Sequence, residues 1–142
     1  MSILSEPSDK EFKALLSSSS EQRYKYFFNR VAVTEKLWLL FVKEEVLELK
    51  NESKKWVIPV WPYKRYAEVF CLDKCHHLKN LSCEIRQVNI FISKSKKLID
   101  EEYSTIAIFP VKDEKVKELT IEQFEEEFQY EYQQVSENPT SW

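Results

Sequence analysis

Residues 55–70 read KWVIPVWPYKRYAEVF, and the period of their apolar positions changes half-way along. The run from Lys55 to Val60, closed by Pro59 and Pro62, reads as a strand. From Pro62 the period becomes helical: Tyr63, Tyr66, Ala67 and Phe70 share one face, and a proline suits the first turn of a helix because its missing N–H would be unpaired there anyway. A strand thus feeds directly into a helix. The aromatic residues at that junction, Trp61, Tyr63 and Tyr66, either form an exposed cluster able to grip a partner peptide or a planar ligand, or staple strand to helix inside the core.

Two short runs precede this stretch, at residues 37–42 and 46–49, separated by Lys43-Glu44-Glu45 in the manner of a β-hairpin. With the strand at 55–60 they predict an antiparallel three-strand meander, since short connections join neighbours in space. Upstream, Ser8 caps a short helix whose Phe12, Leu15 and Leu16 share a face, and the serines 17–20 end it. A second helix over residues 21–32 places Tyr24, Phe27, Phe28 and Val31 at i, i+3, i+4 and i+7, a stripe that needs a core to cover it.

Downstream, the pattern predicts a strand at 82–88, a helix at 90–99 and a β-branched strand at 105–109 ended by Pro110. Trp38, Phe27, Ile108 and Phe109 mark the meeting point of helix, hairpin and late strand. Strict alternation along a strand cannot bury Ile108 and Phe109 on the same face, so one of them should touch a second layer. Thr120 with Gln123 forms a capping box for a final helix that buries Ile121, Phe124 and Phe128. The fold class is α+β: a mostly antiparallel sheet beginning with the meander, and helices packed mainly on one face. A segment with a short helix (1–19), one domain (20–134) and a loose tail (135–142) complete the division.

The chain has 142 residues and no glycine. Gly-rich phosphate loops, the dinucleotide fingerprint and the G-x-S-x-G nucleophile elbow are thereby excluded. Turns that need a positive φ must use Asn, Asp or Lys, with Asn51, Asn80 and Asn138 as the expected neighbourhoods. The net charge of −3 divides unevenly, +4 over residues 1–117 and −7 over residues 118–142, where seven Glu meet no base. In the final helix Glu122, Glu125, Glu126 and Glu127 are expected on the outside, either as a docking face for a basic partner or folded against Lys94, Lys96 or Lys97.

Residues 74–97 carry six bases but one aromatic, Phe91, so nucleic acid is not an expected partner. No targeting segment and no apolar run of membrane length is present, which points to a cytoplasmic protein. Three cysteines, an odd number, then suggest reduced thiols. Cys71, Cys75, His77 and Cys83 offer enough sulfur and nitrogen for a tetrahedral metal site, yet lack the two clean pairs of a zinc ribbon. Thiol catalysis would need His76 or His77 as base, and adjacent Cys75 and His76 point about 100° apart on a helix.

At Val60-Trp61-Pro62 followed by Tyr66-Ala67, and at Ile106-Ala107-Ile108-Phe109-Pro110, the chain resembles the bacterial proteins grouped as domain of unknown function 2750. Their pattern opens with an Arg-Tyr-x-Tyr-Phe helix, matched by Arg23 to Phe27, and a Trp-x-Leu strand, matched by Trp38 to Leu40. The Trp-Pro motif, the Phe-Pro strand and a Thr- or Ser-capped terminal helix follow in order. The resemblance spans about residues 20–134 and implies a shared fold without an activity. Family loops commonly carry glycine where this chain has none, and the cysteine and histidine cluster lies outside the pattern.

The expected function is a non-catalytic protein-interaction module of inhibitor, immunity or adaptor type, with no cofactor and another protein as partner. Its candidate contact residues are Trp61, Tyr63, Tyr66, Glu122, Glu125 and Glu126. The alternative is a metal- or thiol-dependent enzyme or binder built on Cys71, Cys75, His77 and Cys83.

Overall fold

Serine hydroxyls start the first two helices. In the computed structural model, which describes residues 6–75, 77–98, 104–111 and 115–137, Ser8 Oγ accepts the Glu11 N–H at 3.2 Å at the head of α1 (Asp9–Leu16). Ser19 and Gln22 exchange side-chain-to-backbone bonds of 3.1 Å in a capping box that opens α2 (Ser20–Thr34). α2 closes at Glu35, whose φ of 59° lets its N–H reach the Val31 carbonyl.

β1 (Lys36–Val42) pairs antiparallel with β2 (Glu45–Val46) across a two-residue turn in which Lys43 and Glu44 have φ of 51° and 71°. Positive φ at both central residues is the mark of a type I′ turn, which matches strand twist and normally takes Asn-Gly. Of the anticipated asparagines, Asn80 adopts a φ of 60°, while Asn51 instead accepts the Ser53 and Lys55 N–H groups and leaves the positive φ to Lys54. Asn138 lies outside the described residues.

The three-strand meander does not form as one unit. The run at 46–49 splits: β2 stays with β1, and β3 (Leu49–Lys50) crosses to pair with β4 (Trp56–Val60) in a second sheet. The break falls at Leu47, which is buried and still donates its N–H to the Leu40 carbonyl at 2.8 Å, so the chain leaves β1 only after it. The other edge of β1 is taken along its whole length by β5 (Leu81–Gln87), giving the order β2-β1-β5. Between β4 and β5 lies α3 (Lys64–Lys74), and α4 (Val88–Leu98) follows β5.

The second sheet has the order β3-β4-β6-β7, with β6 (Ser104–Ile108) parallel to β4 and β7 (Lys117–Leu119) antiparallel to β6. The architecture is thus α+β and mostly antiparallel, with one parallel pair. Val57 to Val60 and Ile106 to Ile108 are buried without alternation, so the central pair is covered on both faces, as parallel strands require. Trp61, on the side of Pro59 by alternation, packs 5.2 Å from Phe70 of α3. α2 and the final helix α5 (Ile121–Glu137) pack together and against β6 and β7.

Thr120 and Gln123 form the anticipated capping box, at 3.1 and 2.9 Å. Phe124 of α5 meets Phe27, Phe28 and Phe91 at ring separations of 6.0, 5.3 and 5.4 Å, which joins α2, α4 and α5 into one aromatic layer. Ile108 and Phe109 are both buried because Phe109, at a φ of 55°, leaves strand geometry and turns toward Tyr66, 4.6 Å away. Trp38 is only half-buried. Fully buried Arg23 ties the region together, donating from Nε to the Phe109 carbonyl (3.0 Å) and from Nη1 to the Ser18 carbonyl (2.6 Å). Among the described residues no helix is long and apolar enough to cross a membrane.

Candidate functional site

The Trp-Pro junction is a staple, not a contact surface. Trp61, Tyr63 and Tyr66 are all buried. Trp61 Nε1 donates to the Pro110 carbonyl at 3.0 Å, which satisfies the one polar atom of a fully enclosed indole. Tyr63 accepts a 3.1 Å bond from Arg30 Nε. Tyr66 packs 5.1 Å from Phe12, and its buried hydroxyl, which lies beside the Tyr26 hydroxyl, has no well-formed hydrogen bond among the described residues. The neighbouring Tyr26 hydroxyl gives its proton to Glu11 instead, at 2.7 Å. The exposed-cluster expectation for these three residues is therefore corrected: a strand that ends beneath a helix has no open side at that point.

Burial works against thiolate formation at the three cysteines. Burial pushes the Cys71 thiol up to about 11 and the Cys83 thiol up to about 12, with the neighbouring Cys75 and Cys71 respectively adding to the shift. Burial raises Cys75 as well. A reactive thiol needs the opposite, an electropositive and partly open environment. His77 is exposed while Cys75 is buried, and His76 lies outside the described residues. Among the described residues no three His, Cys, Asp or Glu side chains gather closely enough to hold a metal ion. The Cys71, Cys75, His77 and Cys83 set is thus not brought together as ligands.

The acidic helix divides. Glu125 pairs with Lys96 of α4 at 2.5 Å, and Glu127 accepts the Tyr24 hydroxyl proton at 2.7 Å, so both belong to internal packing. Glu125 is in this respect corrected from a free docking residue to a strut between helices. Glu122 and Glu126 remain exposed, and one turn further Tyr130 stands 59% exposed on the same side. The spacing i, i+4, i+8 makes these three a continuous stripe.

Two clefts were not anticipated. The first, about 580 Å³, lies between the last turns of α3 and the loop joining β3 to β4 and is bordered by Phe70, Lys74, Lys50 and Lys115. Glu118 stands in its wall, with Oε1 accepting from Asn51 Nδ2 (2.9 Å) and Thr105 Oγ1 (3.0 Å). The second, about 530 Å³, opens between the β1–β2 hairpin and α4. Its floor is apolar: Leu39, Phe41, Ile58 and Phe91. One wall is the hairpin and its exit, with Glu44, Glu45 and Glu48; the other is the β5–α4 junction, with Arg86, Ile90, Lys94 and Ser95. No local motif announces it, because its parts come from five elements between Leu39 and Ser95.

The fold and sites define a small α+β protein with a stapled strand–helix junction, unactivated thiols and two open clefts. Residues 24–128 match the family described as Protein of unknown function (DUF2750), and the chain belongs to that family. No curated protein matches the chain.

Proposed function

We propose that the protein is a non-catalytic interaction module that binds a basic partner protein through the outer face of α5. The observation that carries this reading is the exposed stripe of Glu122, Glu126 and Tyr130. No Lys or Arg occurs from residue 118 onward to neutralise it within the helix. An exposed tyrosine beside carboxylates that make no ion pair among the described residues supplies both contact area and sign: the ring covers apolar surface, and the carboxylates favour basic partners and speed their approach. The raised thiols add indirect support, since they leave the cysteines structural, and free cysteines suit a cytoplasmic setting.

The test is photo-crosslinking in the cells that make the protein, with a benzoylphenylalanine placed at Tyr130 and, as control, at exposed Lys54 on the loop after β3. A discrete protein adduct is expected at Tyr130, absent at Lys54 and lost in a variant carrying Glu122→Lys and Glu126→Lys. The same adducts at both positions, or one indifferent to charge reversal, would reject the α5 face.

A further inference from the structure

The cleft between the β1–β2 hairpin and α4 is chemically bipolar. Its floor residues Leu39, Ile58 and Phe91 are buried, and Phe41 lies half-buried beside them. Ile90 adds an apolar lip, 44% exposed at the mouth. Above this floor the two walls carry opposite charge. On the hairpin side, Glu48 is held in place by the Ser104 hydroxyl at 3.0 Å, while Glu44 and Glu45 have no side-chain partner among the described residues. On the other side Arg86 is fixed by bonds to the Ile85 carbonyl (2.8 Å) and to Glu84 (2.9 Å), with its guanidinium 4.6 Å from the centre of the Phe41 ring. Arg86 keeps further N–H groups beyond those two bonds. Lys94 has no side-chain partner among the described residues, and no ion pair among them crosses from wall to wall.

Each simple ligand class is penalised by one wall. An apolar molecule fills the floor and leaves both walls unused. An anion gains from Arg86 and Lys94 but meets Glu45 and Glu48, and a cation meets the reverse. A ligand with an apolar body, an ammonium at one end and a carboxylate at the other satisfies floor and both walls together, each charged end forming charge-assisted hydrogen bonds. The volume lies within the range of small-molecule sites, roughly 300–1,000 Å³. We propose that this cleft binds an apolar α-amino acid or a short apolar peptide with both ends free, its ammonium toward Glu45 and Glu48 and its carboxylate toward Arg86 and Lys94. The site shares no residue with the α5 stripe, so the two readings stand or fall separately.

The experiment is a titration of the isotopically labelled full chain, followed by amide and methyl resonances. The probes are leucyl-phenylalanine, its N-acetyl form, its C-terminal amide, and free leucine. Saturable shifts centred on Leu39, Phe41, Ile58, Phe91 and Ser95 are expected with the free dipeptide, and blocking either end should weaken binding at least tenfold. Lys94→Glu and Glu45→Lys, both at exposed positions, should each weaken the free dipeptide, and Lys94→Glu should leave the amide form unchanged. Free leucine binding as tightly as the dipeptide supports the proposal with single amino acids as the ligand; weaker binding of leucine supports it with peptides. No saturable shift by about 10 mM, or equal affinity for free and blocked ends, overturns it.

Discussion

Trp38 and Trp61 exchange two backbone hydrogen bonds, N–H to carbonyl at 2.8 Å in one direction and 3.1 Å in the other. Through this antiparallel bridge the two sheets are held edge to edge at one point, after which β1 and β4 part and β2 and β3 fill the gap. The Trp-Pro motif is therefore where the sheets are fastened.

Trp61 should accordingly dominate stability at that point. Trp61→Ala is expected to cost about 3–5 kcal/mol through loss of a fully buried indole. Trp61→Phe should also destabilise, because it leaves the Pro110 carbonyl without its donor. Urea unfolding of both variants checks the order, and an unchanged midpoint for the alanine variant would remove Trp61 from the core.

The Lys43-Glu44 turn asks two residues with side chains to hold positive φ. Replacing them by Asn-Gly should stabilise the protein by about 1–2 kcal/mol, since non-glycine residues carry a steric cost in that region and Asn-Gly is the favoured type I′ pair. Thermal unfolding of Lys43→Asn with Glu44→Gly, against the parent, measures it. A lower melting temperature would contradict the turn assignment.

Removal of the Tyr66 hydroxyl should do no harm. It is buried without a well-formed hydrogen bond among the described residues, and the adjacent Tyr26 hydroxyl already donates to Glu11, so Tyr66→Phe is expected to be neutral or to stabilise by up to about 1 kcal/mol, a sign seldom seen for core substitutions. Arg23→Met makes the opposite case, stranding the Phe109 and Ser18 carbonyls, and should cost about 2–4 kcal/mol.

The thiols set a limit on alkaline stability. Cys71 and Cys83 ionise near 9.0 when unfolded but are pushed up to about 11 and about 12 when folded, so the folded state holds its protons longer. Their contribution is complete below pH 9 and falls away as pH rises from there toward the folded values. Chemical unfolding between pH 8 and pH 11 should show a steeper loss for the parent than for a variant with Cys71→Ala and Cys83→Ala. Parallel slopes would show that these thiols are not the cause.

What could be read from the residues alone follows from the range of each interaction. The caps at Ser8 and Thr120 are legible because donor and acceptor lie three residues apart. So are the helical stripes of α2 and α5, whose period is written in Tyr24 to Val31 and Ile121 to Phe128. The split of the strand at Leu47 is not legible, since Leu40 and β4 compete for that run across space rather than along the chain. The burial of Trp61 depends on Phe70 and Pro110, and the turn at Phe109 on Tyr66 and Arg23, none of which a local pattern weighs. In the acidic helix the exposed positions of Glu122 and Glu126 follow from the helical period, whereas the pairing of Glu125 with Lys96 joins two helices across space.

The parallel pairing of Trp56–Val60 with Ser104–Ile108 has a consequence for how the molecule comes together in time. Everything up to α2 and the β1–β2 hairpin can form from neighbouring residues, but β4 has no lasting partner on its β6 side until α3, β5 and α4 have been traversed. Loop-closure entropy must be met before that contact rewards it, so the pairing belongs, with that of β1 and β5, to the long-range part of assembly. During synthesis the apolar run Val57 to Val60 leaves the ribosome well before the strand it must join. Pro59 in the middle of that run offers no N–H to a stray strand, so a mispaired copy of this segment would form one ladder bond fewer.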